Sequence, residues 1–329
     1  MCKDEKVIGT SSPDIPSWVG RVSYDEIEVG TELGPREWTI TPEEIDRHCL
    51  STGEFHEWYT VGLPSGGRAA PVSISYMPPR YIFSEKVPLS GLFAAWNHQQ
   101  FQLLRPGVKL ILDGRVSDKY VRRDREWVWY EVSCKEADAG IEVFRTSRGH
   151  VLDYTTDLQN DAANPSSAPA GERVGGYDPV VFESQNTGDR VAAAPVHAFQ
   201  ASAGNYPIGS ELMPASFQLT QRSVTEFLHG HRGHDEAEGL PAPVASGPHA
   251  AAQIHKMMMA GFGQGYLEKG TFNLKFVRLM LREDFLTAKG VVVAHRLEDG
   301  ADRVECNVWV ERQTGEKVVV GSASALIAL

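Results

Sequence analysis

The sequence predicts an α+β protein made of two tandem copies of one unit, each a central helix wrapped by a curved antiparallel sheet. Three observations carry this. First, GTELGPREWTIT at residues 30–41 returns as GSELMPASFQLT at 209–220, identical at five of twelve positions and offset by 179. Two glycine matches follow in the same order, Gly114 with Gly290 at offset 176 and Gly140 with Gly315 at offset 175, which marks a duplication. Second, the latter part of each copy alternates or runs in β-branched and aromatic residues, the pattern of paired strands. Third, a helix of mostly small, apolar residues precedes those strands in copy two and is best buried on all sides.

The elements follow in order. Residues 1–19 form a tail that opens MCKDEKVIGTSSPD, with charges and no apolar signal-peptide core. The first copy spans 20–154. After a short strand, TPEEIDRHCLSTG reads as a helix with Thr41 as N-cap, Pro42 at its first position and Glu44 three residues after the cap. An irregular loop leads to a central helix opening near Ala70, Pro71 and Val72, and then to the strands KLILDGRVSDKYV, EWVWYEVSCKEA and GIEVFRTSRGHVLDY. Residues 155–176, rich in Ala, Pro, Ser, Gly and Asn, read as a linker. The second copy spans 177–329. Its central helix is predicted over 242–263, closed by Gly261 or Gly263, with Met257, Met258 and Met259 as core. Its strands are TAKGVVVAHRLE, DRVECNVWVERQ and EKVVVGSASALIAL, with strict period-2 alternation through Val304, Cys306, Val308 and Val310.

Composition narrows the function. The chain has 329 residues, 42% hydrophobic and 23% charged, enough for a sizeable core. With Lys+Arg 32 against Asp+Glu 43 the net charge is −11, which argues against nucleic acid or an anionic membrane as partner. No apolar run approaches the roughly 20 residues of a membrane span. Cys2, Cys49, Cys134 and Cys306 are far apart and lack metal or disulfide spacing, so a reducing, cytoplasmic setting is expected. No Gly-rich phosphate loop, GxSxG elbow or HExxH occurs, and no cofactor or metal is expected.

Three segments of copy one, GTELGPREWTITPEEIDRHCLSTGEF, SGGRAAPVSIS and RPGVKLILDGRV, resemble the double-hotdog MaoC-like hydratases and dehydratases, which act on acyl thioesters. In copy two the resemblance rests on EGLPAPVASGPHAAAQIH, GTFNLKFVRLMLREDFLTAKGVV and the last strand. It implies a hydro-lyase that adds water to, or removes it from, a 2-enoyl or 3-hydroxyacyl thioester of coenzyme A or a carrier protein. It also implies a homodimer or higher homo-oligomer. Such enzymes carry Asp-x-Asn-x-x-His after the first helix. One group moves a proton at the α-carbon, another acts at the β-oxygen, and a helix N-terminus steadies the enolate-like oxygen.

At the matching place copy one has STGEFHEWYTVG, so Glu54, His56 and Tyr59 stand where the family has Asp, Asn and His. They are expected to form a retuned acid/base site, with His56 as base and Tyr59 as acid or orienting donor. The other reading is that Glu54 caps a helix while the rings pack. In copy two, TEFLHGHRGHDEAEGLP places His229, His231, His234 and Asp235 in a short loop, as an alternative acid/base set, a metal site or a solvated turn. For substrate binding, Ser246 and Gly247 open the second central helix, with the Gly247 N–H as oxyanion donor. Pro71 marks the same point in copy one, and Arg68 is placed to reach a coenzyme A phosphate. The alternatives are another thioester reaction on the same scaffold (thioesterase, acyltransferase/decarboxylase or isomerase), which the change to Tyr59 favours, and a non-catalytic acyl-thioester-binding protein.

Overall fold

The computed structural model describes residues 22–87, 91–152, 190–191, 206–228, 244–298 and 300–327. The tail, the boundaries at 154 and 177 and the linker at 155–176 lie outside the described residues, as do His229, His231, His234 and Asp235. Among the described residues no helix is long and apolar enough to cross a membrane.

The first half runs β1 (Glu32–Thr39), α1 (Pro42–Thr52), α2 (Glu57–Thr60), a 3-10 turn Val72–Tyr76, α3 (Met77–Lys86), β2 (Gly91–Gln100), β3 (Lys109–Arg122), β4 (Arg125–Glu136) and β5 (Glu142–Leu152). The second runs β6 (Ala215–Gln218), α4 (Gln221–Leu228), α5 (Gly247–Phe262), α6 (Gln264–Lys269), β7 (Thr271–Phe276), β8 (Phe285–Glu298), β9 (Ala301–Glu311) and β10 (Lys317–Ile327). One antiparallel sheet of eleven strands contains all ten in the order β1-β3-β4-β5-β2-β7-β10-β9-β8, with β6 and the two-residue strand Arg190–Val191 both paired to β8. The order reads the same from either end, as a duplicated unit joined edge to edge requires.

The register confirms the repeat residue by residue. Where β2 meets β7, Asn97 opposes Asn273, Trp96 opposes Leu274 and His98 opposes Phe272. Asn97 and Asn273 stand 176 apart, the spacing of Gly114 and Gly290, so the pseudo-dyad passes through this asparagine pair. Gly30 N–H donates to the Val116 carbonyl (2.8 Å) and Val116 N–H to Thr31 (2.9 Å). Gly209, Val292 and Ser210 repeat both bonds at 2.8 and 2.9 Å. Gly140 and Gly315 hold matching turns at φ 67 and 81°, where a side chain would be strained.

Helix starts are also duplicated. Thr41 Oγ1 accepts from Glu44 N–H while Glu44 Oε2 accepts from Thr41 N–H, a reciprocal capping box. Thr220 does the same with Ser223. The two helices, α1 and α4, pack on each other at the seam.

The second central helix is α5, with Pro248, Ala250–Ala252, Ile254, Met257–Met259 and Phe262 all buried. It starts five residues later than the sequence predicts. Val244 and Ala245 spend their backbone groups pairing with Met280 and Leu281, and Ser246 is the extended N-cap. Gly263 closes it. In the first half the corresponding segment is the buried turn Val72–Tyr76 continuing into α3, where Pro78 and Pro79 occupy the first turn and break no helical bond.

Candidate functional site

The seam between the halves concentrates buried polar groups. Helix α1 ends at Gly53 in a left-handed conformation (φ 72°), which turns the chain and drops Glu54 into the interior, 2% exposed. The ring of Phe217, from the opposite half, lies where a Cβ on Gly53 would be, 2.3 Å away, so only glycine fits this turn.

Glu54 Oε2 accepts a hydrogen bond from Ser73 Oγ, and His48 Nε2 lies 3.4 Å from the same oxygen. Ser73 Oγ is also 2.6 Å from His48 Nε2. A serine hydroxyl has one proton. With that proton on Glu54, Ser73 must accept from His48, which therefore carries hydrogen on Nε2. Thr52 Oγ1 is 3.3 Å from Glu54 Oε2 but 2.8 Å from the His48 carbonyl, so its own proton goes to the carbonyl. The carboxylate is thus lopsided: Oε2 is engaged, and Oε1 is buried with no donor among the described residues.

The opposite half closes the site. Gln253 of α5 donates from Nε2 to the Thr52 carbonyl at 2.8 Å. His249, one turn earlier, packs against Phe227 with ring centroids 4.6 Å apart and planes tilted by 49°, and Phe227 in turn lies 6.0 Å from His48. Counting from the threonine caps, Phe227 is the repeat partner of His48: the first half has an imidazole where the second has a benzene ring.

Electrostatics follow burial. The Tyr59 and Tyr266 phenols are raised well above their usual value, first by burial and then by the Glu54 charge. The Cys49 thiol is pushed up to about 12 for the same two reasons in the same order. His249 is lowered to about 4 by burial, so it is a neutral imidazole at pH 7.

Of the sequence-predicted residues, Glu54 and Tyr59 are brought into the seam together. His56 makes no hydrogen bond to either side chain among the described residues. It caps α2, its Nδ1 accepting from Trp58 N–H at 3.2 Å, while its half-buried ring packs on Trp58 and Tyr59 and burial lowers its pKa. Arg68 is held by the Tyr59 carbonyl (2.6 Å) and Asp46 (2.5 Å), so it straps the loop to α1. Pro71 is the buried cap of the turn that carries Ser73. Ser246 caps α5, and its hydroxyl bonds Tyr76 of the other half. Gly247 is wedged between Phe276 and Phe93, each of which would lie 2.9–3.0 Å from an added Cβ. Its N–H is one of the orphan donors that begin a helix. His48, Ser73, His249 and Gln253 were not singled out from the sequence. The signal available was polar residues at an i, i+4 spacing, His249 and Gln253, inside a helix of mostly small, apolar residues.

A separate outer groove, lined by Glu32, Gly34, Asp113, Arg115, Glu131 and Arg145, contains none of these groups. Its arginines are paired, Arg115 with Glu131 and Arg145 with Glu142.

Comparison with solved structures identifies the architecture. A MaoC-like dehydratase superposes over 92% of this chain and 99% of its own, with a TM-score of 0.66 at 13% identity. A MaoC-like dehydratase from Phytophthora capsici covers 93% and 98%, at 0.58 and 13%. A conserved hypothetical protein from Mycobacterium tuberculosis, described as a double hotdog, covers 94% and 99%, at 0.61 and 10%. The chain is a double hotdog. At such identities the likeness is one of fold. No family model and no curated protein sequence matches this double hotdog.

Proposed function

We propose that this double hotdog is a hydro-lyase acting on 2-enoyl or 3-hydroxyacyl thioesters, with its acid/base group in the first half. One observation carries the reading: Glu54 is a buried carboxylate whose Oε2 is held by Ser73 while Oε1 is bare. Likeness of fold to two MaoC-like dehydratases supports the reaction class.

In the hydration direction, Glu54 Oε1 takes a proton from water as the water oxygen bonds to the β-carbon. The double-bond electrons move toward the thioester carbonyl, where the N–H groups that begin a central helix face developing negative charge. The α-carbon is then protonated from the Glu54–Ser73–His48 chain, and the carboxylate is restored. Dehydration is the reverse. Tyr59 stays protonated beside Glu54. A serine-nucleophile thioesterase is less well supported. Ser73 and Glu54 both address Nε2 of His48, whereas a nucleophile triad needs the carboxylate on the other ring nitrogen.

The test is hydration of crotonyl-CoA, followed as loss of enoyl absorbance. Wild type is expected to turn over, and Glu54→Gln to lower kcat by about a hundredfold or more while thioester binding persists. Free thiol release would assign the protein to thioester hydrolysis instead, and binding without turnover to a non-catalytic thioester-binding role.

A further inference from the structure

The hydrogen-bond accounting at the seam leaves a second bare acceptor, on the other half. Gln253 is fully buried. Its amide nitrogen faces two carbonyls, Thr52 at 2.8 Å and His249 at 3.3 Å. Carbonyls only accept, so the amide cannot be turned round without setting oxygen against oxygen. Gln253 Oε1 is therefore forced to the other side, where it has no donor among the described residues. Glu54 Oε1 is in the same condition, and the Thr52 carbonyl that Gln253 bonds lies two residues before Glu54 in the chain.

Buried acceptors left unpaired are costly. They are satisfied together by a group with two protons to donate and an oxygen lone pair left over. We infer that Gln253, reaching across from the second half, is the second holder of the reacting water, opposite Glu54. The water gives one hydrogen to each bare oxygen, and its free lone pair is directed at the β-carbon. Only Glu54 then removes a proton, and the neutral amide fixes the direction of attack. This rests on the hydro-lyase reading for its chemistry. The site would also be composite, with the base from one copy and the orienting acceptor from the other, which gives a role to the buried amide of Gln253 in the central helix.

Two measurements test it. A high-resolution crystal structure of the full chain should show an ordered water within hydrogen-bond distance of both Glu54 Oε1 and Gln253 Oε1. If the two oxygens do not share a water, the inference fails whatever the activity. Kinetics form the second arm, with crotonyl-CoA as substrate and saturated butyryl-CoA as binding probe. Gln253→Met, of similar shape but without the acceptor or the donor to the Thr52 carbonyl, should lower kcat at least about tenfold and leave the butyryl-CoA Kd within about twofold. Gln253→Glu keeps both a donor and an acceptor while its new carboxyl is protonated. Its activity should therefore be retained at acidic pH and lost as that carboxyl ionises, a profile that a purely structural clamp would not produce. Unchanged kcat in Gln253→Met, or a fall in kcat and binding together with no acid-side rescue in Gln253→Glu, would overturn the assignment. Should wild type fail to hydrate crotonyl-CoA, the hydro-lyase reading falls, while the shared water still decides whether Gln253 and Glu54 act as a pair.

Discussion

A carboxylate with one engaged oxygen and one bare oxygen is a directional base. Ser73 is what makes Glu54 so, because its single proton commits Oε2 and its lone pair receives the His48 proton. Hydrogen bonds to charged groups contribute about 1.5–3 kcal/mol, so Ser73→Ala should lower kcat for crotonyl-CoA hydration by roughly ten- to a hundredfold. It should also move the pH-rate profile, since the carboxylate loses its donor. An unaltered rate and profile would remove Ser73 from the proton chain. Glu54 was reached from the sequence because the resemblance points to the loop after the first helix. His48 and Ser73 were not, because the i, i+2, i+5 spacing treats residues 54–59 as one continuous strip. In the structure the left-handed Gly53 sends Glu54 inward, and His56 is drawn off to cap the next short helix. Partners for Glu54 therefore come from before and after the strip, on elements whose relative placement no spacing encodes.

Helix boundaries were the most readable elements, since a cap is local chemistry. Thr41 with Glu44 forms the box that the sequence announces, and Thr220 with Ser223 repeats it in the second half. Replacing Thr41 by Ala should cost about 1 kcal/mol of unfolding free energy, read from denaturant midpoints, as N-cap losses usually do. A null effect would mean that packing of α1 on α4 holds this end without its cap. Where tertiary pairing competes, local signals lost: Val244 and Ala245 look helical in composition but are taken by the ladder with Met280 and Leu281. The asymmetry between the two helices is equally informative. Duplication gave both copies the same helix, yet residue 48 is histidine and its counterpart 227 is phenylalanine. An imidazole and a benzene ring fill similar space, so packing does not choose between them. Under the proposed reaction, it is the first copy that carries the imidazole beside Glu54.

Taken whole, the molecule buries histidines along the dyad. His98 on β2, His249 and His255 on α5 are all inaccessible. His98 stacks on Phe272 and Phe144, and His255 meets the Tyr266 hydroxyl at 2.5 Å. Burial lowers His98 to about 3, His249 to about 4 and His255 well below its usual value. Unfolded, each would titrate near about 6.5. Above that pH both states are neutral and stability is full. Between it and the folded values the unfolded chain binds protons that the native chain refuses, so stability falls as pH falls. By linkage each such histidine should lose about 2 kcal/mol by about pH 5. The carboxylates held low, Glu298 by its Arg303 hydrogen bonds and Glu311 by Lys289, act in the same sense but only below about 4.5, so the window from pH 7.5 to 5 belongs to the histidines. Melting temperature should therefore drop steeply across that window. His98→Phe keeps a ring in the stack and removes one titrating group. It leaves Gln100 without its 2.8 Å partner, which lowers the baseline at every pH, but its slope should be shallower by one histidine's share. Parallel slopes for His98→Phe and wild type would mean that His98 accepts its proton without unfolding, and that the dyad is open to water at this point.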